Sequence, residues 1–210
     1  MTLAQTSTAR TSTDQTRSKP IDFAAARRAM IDSQLRTSGV SDAFVLARMA
    51  ALPREDHAPA GAKGVAYMDR AIALDGGGHI AAPLFYGAML REARPGAEDG
   101  VLVVDGGSGY LPALVEPLVE SVKAVTPEQA LGALRGSFSL IMVDGAMELL
   151  PEGLAKRLTS EGRIVGGLLE NGVTRLAIGR KAGTGIGWLR LAEMGIPRLP
   201  GFDAPKRWSF

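Results

Sequence analysis

One stretch limits the possible folds more than any other: VLVVDGGSGY, residues 101–110. Val101–Val104 is apolar throughout, the pattern of a strand buried on both faces of a parallel sheet. The run ends in Asp105-Gly106-Gly107-Ser108-Gly109, and a helical pattern starts there. A strand, a glycine turn and a helix in this order present backbone N–H groups to an anionic or nucleotide ligand at the mouth of an α/β sheet. Two further apolar runs of strand length follow, Val122–Val125 and Phe138–Ala146. Between them Thr126-Pro127-Glu128-Gln129 reads as a helix start, with a capping threonine, an early proline and a reciprocal glutamine. The segment LPEGLAKRL reads as another helix. RIVGGLLENGVTRLAIGRK then reads as two antiparallel strands around Glu170-Asn171-Gly172, and Trp188–Leu191 as a last short strand. This alternation predicts a doubly wound α/β sheet with an antiparallel edge. Val101–Val104, Val122–Val125 and Phe138–Val143 should be parallel neighbours.

Upstream the period is helical. In IDFAAARRAMIDSQLRTSG the residues Phe23, Ala26, Met30 and Leu35 fall near one face, and Gly39 ends the pattern. Ser41 is placed to cap a second helix carrying Phe44, Val45, Met49 and Leu52, which Pro53 ends. A loop is expected to about Gly78. IAAPLFYGAMLREA then reads as a third helix, closed by Arg94-Pro95-Gly96. Residues 1–19 are rich in Ser, Thr and Gln and poor in large apolar groups, so they read as a disordered tail without the apolar stretch of a secretory signal.

Composition narrows the chemistry. Hydrophobic residues make up 46% of the 210, enough for a full core. No cysteine is present, which removes disulfides, thiolate nucleophiles and zinc–sulfur sites. The two histidines, His57 and His79, supply a metal cage or a Ser-His-Asp triad poorly. Residues 21–150 hold 11 basic and 16 acidic groups, net −5, whereas residues 151–210 hold 10 and 5, net +5. The basic groups are scattered rather than gathered into a stripe with aromatics, so nucleic acid is not expected as a partner. No window approaches 18 consecutive apolar residues. A cytoplasmic protein without membrane or metal partners is the expectation.

Several segments together resemble the protein-L-isoaspartate O-methyltransferases, and their divergent alphaproteobacterial branch in particular. They are MIDSQLRTSGVSDAFVLARMAALPREDHAP, AYMDRAIAL, VLVVDGGSGY, FSLIMVDGAMELLPEGLAKRLTSEGRIVG and LPGFDAPKRWSF. The resemblance implies a Rossmann-like class I methyltransferase fold, shortened by about one edge strand and a helix, with a C-terminal antiparallel hairpin. Residues 20–210 would then be one domain, with 20–95 the helical substrate side and 96–210 the Rossmann-like core. It also implies S-adenosylmethionine as methyl donor and a protein or peptide carrying isoaspartate as acceptor, methylated on its side carboxylate as the first step of repair. Asp105, Gly107, Ser108, Gly109 and Asp144 are the implied cofactor-side residues. His79, Ile80 and Pro83 are the implied substrate-side residues.

The chain departs from the family pattern at four places. Val103 stands where the glycine turn is usually preceded by an acid, and Asp105 where the turn has its first glycine. Asp105 faces the side that an acid at 103 would face, so it is either a displaced carboxylate or an obstacle to the cofactor. Thr126 follows the second strand where a ribose-gripping acid is expected. Glu128 is a candidate replacement, although its position suits the N-terminus of the helix it begins. Only 27 residues separate Tyr110 from Phe138, too few for the two crossovers that the family places there; the resemblance implies that the missing strand is an edge strand, which leaves Val122–Val125 at the sheet edge. Ala81 occupies the position of the family's active-site serine, so no residue is assigned a catalytic role. His79 could replace the lost polar group or be an exposed or capping residue. Asp144 reads equally as a ligand residue at the sheet mouth or as a turn cap. Tyr67 and Asp69 read as anchors of the acceptor loop, and His57 as a packing or surface residue. These departures predict weak or absent S-adenosylmethionine binding, and they leave two functions open: methyl transfer, or a non-catalytic protein-interaction domain.

Overall fold

The computed structural model describes residues 20–183 and 185–205; the expected tail at 1–19 lies outside them. Helix α1 (Phe23–Met30) starts at Asp22, whose carboxylate accepts the Ala25 N–H at 2.9 Å. It widens into a π-helical turn at 31–35 and tightens to a 3-10 turn at 36–38. Gly39 ends it at φ +82°, where a side chain would be strained. Helix α2 (Ala43–Ala51) is capped one residue later than the sequence suggests: Asp42, not Ser41, takes the N-cap position, and no side chain closes it. The expected long loop holds two 3-10 turns and a small antiparallel pair, β1 (Ile72–Ala73) and β2 (His79–Ile80). Helix α3 (Pro83–Ala93) begins with proline in its first turn and ends at Arg94 in the left-handed region.

The main sheet comprises β3 (Gly100–Val104), β4 (Ser121–Val125), β5 (Phe138–Met147), β6 (Leu158–Glu170), β7 (Val173–Ala182) and β8 (Gly185–Glu193). Their order is β4-β3-β5-β6-β7-β8. The first four are parallel, and β7 and β8 are added antiparallel. The expected neighbours are all in place, with β4 at the edge. The β6–β7 connection is the expected tight hairpin: Asn171 at φ 52° and Gly172 at φ 79° give the two left-handed residues that match strand twist. Strand β8 has nine residues rather than four. The helix expected over LPEGLAKRL shrinks to α6 (Glu152–Ala155). Between β3 and β5 lie only α4 (Tyr110–Val115), β4 and α5 (Pro127–Leu131).

Alternation along the strands splits the core in two. Val101, Val103, Leu140, Met142 and Val165 face one cluster with residues of α1–α4. Leu102, Val104, Ile141, Val143 and Ile164 face the other, with Leu154, Leu199 and Phe202. On the first side the helices pack closely, since a Cβ on Gly87 of α3 would come within 3.1–3.4 Å of Leu35, Val40 and Met49. Among the described residues, α5, α6, Leu199 and Phe202 cover the second side.

Candidate functional site

The glycine turn lies at the C-terminal end of β3, as the strand–turn–helix pattern requires. Two of its donors are already used. The Asp105 carboxylate accepts the Gly107 N–H at 3.1 Å and the Gly109 N–H at 3.0 Å. Gly107 (φ +108°) and Gly109 (φ +67°) hold the left-handed geometry that wraps the turn around this carboxylate. Ser108 is turned inward as well: its Oγ accepts the Tyr110 N–H at 3.1 Å, and its carbonyl lies 2.9 Å from His57 Nδ1. His57 also packs edge-on against Tyr110, with ring centroids 5.2 Å apart. It is thus a clamp on the turn, a role beyond the packing or surface position expected of it.

The β1–β2 hairpin covers the turn from above. The His79 N–H donates to the Gly106 carbonyl at 2.9 Å. Gly78 approaches so closely that a Cβ there would stand 2.2 Å from that carbonyl oxygen. A Cβ on Gly107 would meet Leu74, Gly77 and Gly78 at 3.5–3.8 Å. Loop and turn therefore meet through backbone at Gly78, where only glycine fits, whereas at Gly107 the contacts are ordinary and the left-handed φ is what favours glycine.

His79 is 6% exposed, against the expectation of a surface or capping residue. Its Nε2 lies 3.0 Å from the Asp144 carbonyl oxygen. Burial lowers its pKa, leaving it neutral near pH 7. Asp144 is fully buried. Burial, reinforced by the charge of Asp105, pushes its carboxyl up to about 8. Its Oδ2 accepts the Tyr86 hydroxyl at 3.0 Å, and Tyr86 in turn accepts the Ala81 N–H at 2.9 Å. The Asp144 carboxyl is thus enclosed and engaged by Tyr86. Ile80 lies in the core, and Pro83 is buried at the start of α3. Ala81 is also buried, both of its backbone polar groups being used, since its carbonyl accepts Arg54 Nη2 at 2.6 Å.

Sequence reasoning missed Arg54. It is the largest fully buried side chain and lies over the rings of Tyr86 and Tyr110 at 5.7 and 5.4 Å. Its Nη1, the Tyr110 hydroxyl and Asp144 Oδ1 are buried without hydrogen-bond partners among the described residues. Tyr67 anchors the segment before the loop, as expected. Its hydroxyl accepts Arg27 Nε at 2.6 Å and the Arg54 N–H at 3.2 Å and donates to Glu55, which pairs with Arg27 at 3.0 Å. Asp69 accepts the Leu84 N–H weakly at 3.4 Å. Beside it Ala82, Leu84, Phe85 and Met194 line an open cleft of about 310 Å³.

On the far side of the turn, Thr126 is committed to its helix. Its side chain accepts the Gln129 N–H at 3.2 Å while Gln129 Oε1 accepts the Thr126 N–H at 2.9 Å, a complete capping box. Glu128 is exposed in the first turn of α5. No strand lies outside β4 among the described residues. Nor do these residues include a cluster of three or more groups able to hold a metal ion, or a helix long and apolar enough to cross a membrane.

Comparison with known proteins places this geometry in a family. The family model for protein-L-isoaspartate(D-aspartate) O-methyltransferase matches residues 25–131. A protein-L-isoaspartate O-methyltransferase of Methylorubrum extorquens is 33% identical over 181 residues, covering 73% of this chain and 78% of its own. One from Roseiflexus castenholzii is 30% identical over 171 residues, covering 69% and 78%. In fold the chain is similar to a Plasmodium falciparum beta-aspartate methyltransferase in complex with S-adenosyl-L-homocysteine, with a TM-score of 0.64, 17% identity and coverage of 82% and 97%. A further protein-L-isoaspartate O-methyltransferase structure gives a TM-score of 0.68 at 16% identity, covering 83% of this chain and 66% of that one. With a Rossmann-like class I sheet, a glycine turn packed against the β1–β2 pair, and relatives matched over most of their length, the chain belongs to the protein-L-isoaspartate(D-aspartate) O-methyltransferase family.

Proposed function

We propose that this family member acts as a protein-interaction domain and does not transfer methyl groups from S-adenosylmethionine, the donor that the family implies. One observation carries the reading: Asp105 occupies the Gly107 and Gly109 N–H donors of the turn. A donor's carboxylate would have to displace a carboxylate held by two amides within the same chain, at high effective concentration. The residues at this mouth do not fit the cofactor elsewhere either. Val103 is buried and apolar, Thr126 caps α5, and the chain between Tyr110 and Phe138 is used up by α4, β4 and α5. On the acceptor side, Ala81 offers a buried methyl where the family has a serine. What persists is the helical face with its open cleft beside Asp69 and Leu84, and Met68 half exposed next to it. A protein or peptide is the ligand that suits such a surface.

The second reading, methyl transfer to an isoaspartyl carboxylate, is favoured by the close docking of the His79 hairpin on the turn, which brings acceptor and donor sides together at 2.9 Å. A carboxylate acceptor needs no strong base, so a missing serine alone does not exclude it. Incubation with methyl-labelled S-adenosylmethionine and an isoaspartyl peptide separates the two. Label above background in the peptide, lost on removing the protein, contradicts the proposal; peptide binding without label supports it.

A further inference from the structure

The tip of the β1–β2 hairpin, residues 73–79, is held over the glycine turn by few groups. Ala73 and Asp75 are exposed, Leu74 is half-buried, and Gly76-Gly77-Gly78 carries no side chains. Gly77 and Gly78 stand at φ +87° and +83°, in a run of residues with little conformational preference of their own. His79 has the one buried side chain of the tip. Its N–H donates to the Gly106 carbonyl, and its ring places Nε2 3.0 Å from the Asp144 carbonyl oxygen. A carbonyl only accepts, so this bond requires the hydrogen on Nε2 and leaves Nδ1 to take a further proton.

The groups facing the ring give that proton little support. The Asp144 carboxyl, with Oδ1 3.9 Å from Nε2, is raised by burial to about 8 and is mostly uncharged near pH 7. Behind it stand the Tyr86 hydroxyl and the Arg54 guanidinium, itself a cation. On the turn, the Asp105 carboxylate is engaged by the Gly107 and Gly109 N–H groups, and His57 is directed at the Ser108 carbonyl. Asp75 lies exposed at the tip. Burial is the largest influence on the ring, outweighs the Asp144 carbonyl and Asp105, and lowers its pKa.

We propose that residues 73–79 are an acid-released lid over the glycine turn, with the His79 ring as its latch. In the closed lid the ring is neutral and packed. In the open lid it reaches water and binds a proton at its ordinary value of 6.5. Opening is thereby coupled to proton uptake, so acid shifts the balance towards the open lid by up to about tenfold per pH unit below that value. Opening withdraws the His79 N–H from Gly106 and Leu74 from above Gly107, which uncovers the top of the turn. The inference holds whatever ligand the turn takes.

Amide exchange tests it on the intact chain, with each protection factor taken relative to the unstructured rate at the same pH. Between pH 7 and 5 the protection of the His79 N–H should fall about fivefold or more, while the β3 amides keep theirs. In His79→Gln the side-chain amide still offers a donor to the Asp144 carbonyl but does not titrate, so protection at position 79 should stay constant over this range. The His79 ring of the unaltered chain, followed by NMR, should titrate below 6.5. Constant protection at His79 overturns the proposal, as does a fall that persists in His79→Gln. A fall shared equally by the β3 amides is global unfolding and also overturns it. So does a ring pKa at or above 6.5, a result that depends on no variant.

Discussion

Asp105 accepts the Gly109 N–H through both carboxylate oxygens, at 3.2 and 3.0 Å, and so fills the turn from within. The consequence can be measured. Asp105→Gly frees the Gly107 and Gly109 donors, and a charge-assisted hydrogen bond is worth about 1.5–3 kcal/mol. Affinity for S-adenosylhomocysteine should rise at least about tenfold in calorimetric titration. An unchanged affinity would separate the self-capped turn from the loss of binding.

The buried acid beside this turn imposes a pH dependence. Asp144 titrates at about 8 in the fold and at its ordinary value of 3.8 when unfolded. Between those values the folded state binds the extra proton, so stability falls as pH rises from about 4 to 8. Asp144→Asn removes the ionisation and keeps the shape. It should stabilise the protein more at pH 8 than at pH 4 in urea denaturation. An equal effect at both pH values would contradict the raised pKa.

Asp99 gives the opposite slope. Burial opposes its ionisation, but hydrogen bonds from Arg163 and Ser139 outweigh burial and hold it at about 2. Its contribution, about 2 kcal/mol, is present above the unfolded value near 4 and is lost as pH falls through 2. Asp99→Asn should cost about 2 kcal/mol at pH 7 and little at pH 2, read from denaturation midpoints.

Tyr67→Phe deletes a hydroxyl that serves Arg27, Arg54 and Glu55 together. The loss should be about 2–3 kcal/mol, since buried polar groups are left without partners. A change below about 0.5 kcal/mol would show that Arg27 and Glu55 hold the segment unaided.

The sheet could be read from the sequence wherever a local rule suffices. The apolar runs of β3 and β5, the capping box at Thr126 and the Asn171-Gly172 turn each depend on a few neighbouring residues. Strand β4 at the edge followed from the short distance between Tyr110 and Phe138 taken together with the family's sheet, in which the missing strand is an edge strand. The cap of α2 did not follow, because Ser41 and Asp42 are equivalent candidates one residue apart. The full length of β8 was hidden by Gly185 and Gly187, which depress strand propensity although pairing with β7 overrides it. In the site, the burial of Arg54, His79 and Asp144 arises from packing of segments 25 to 90 residues apart in sequence, which no local pattern records. The self-capping of Asp105 depends on the φ angles of Gly107 and Gly109, which the string Asp-Gly-Gly-Ser-Gly permits without dictating.

Titration with S-adenosylhomocysteine tests directly whether the donor site is closed and incomplete. Three supports are altered: the acid before the turn, the acid after β4, and the segment beyond it. At about 1.5 kcal/mol each, treated as additive, their loss weakens binding by about three orders of magnitude. The dissociation constant of the unaltered chain should therefore be about 1 mM or weaker, with no heat of binding at micromolar concentrations. A dissociation constant in the low micromolar range would contradict the account and make methyl transfer the function to pursue.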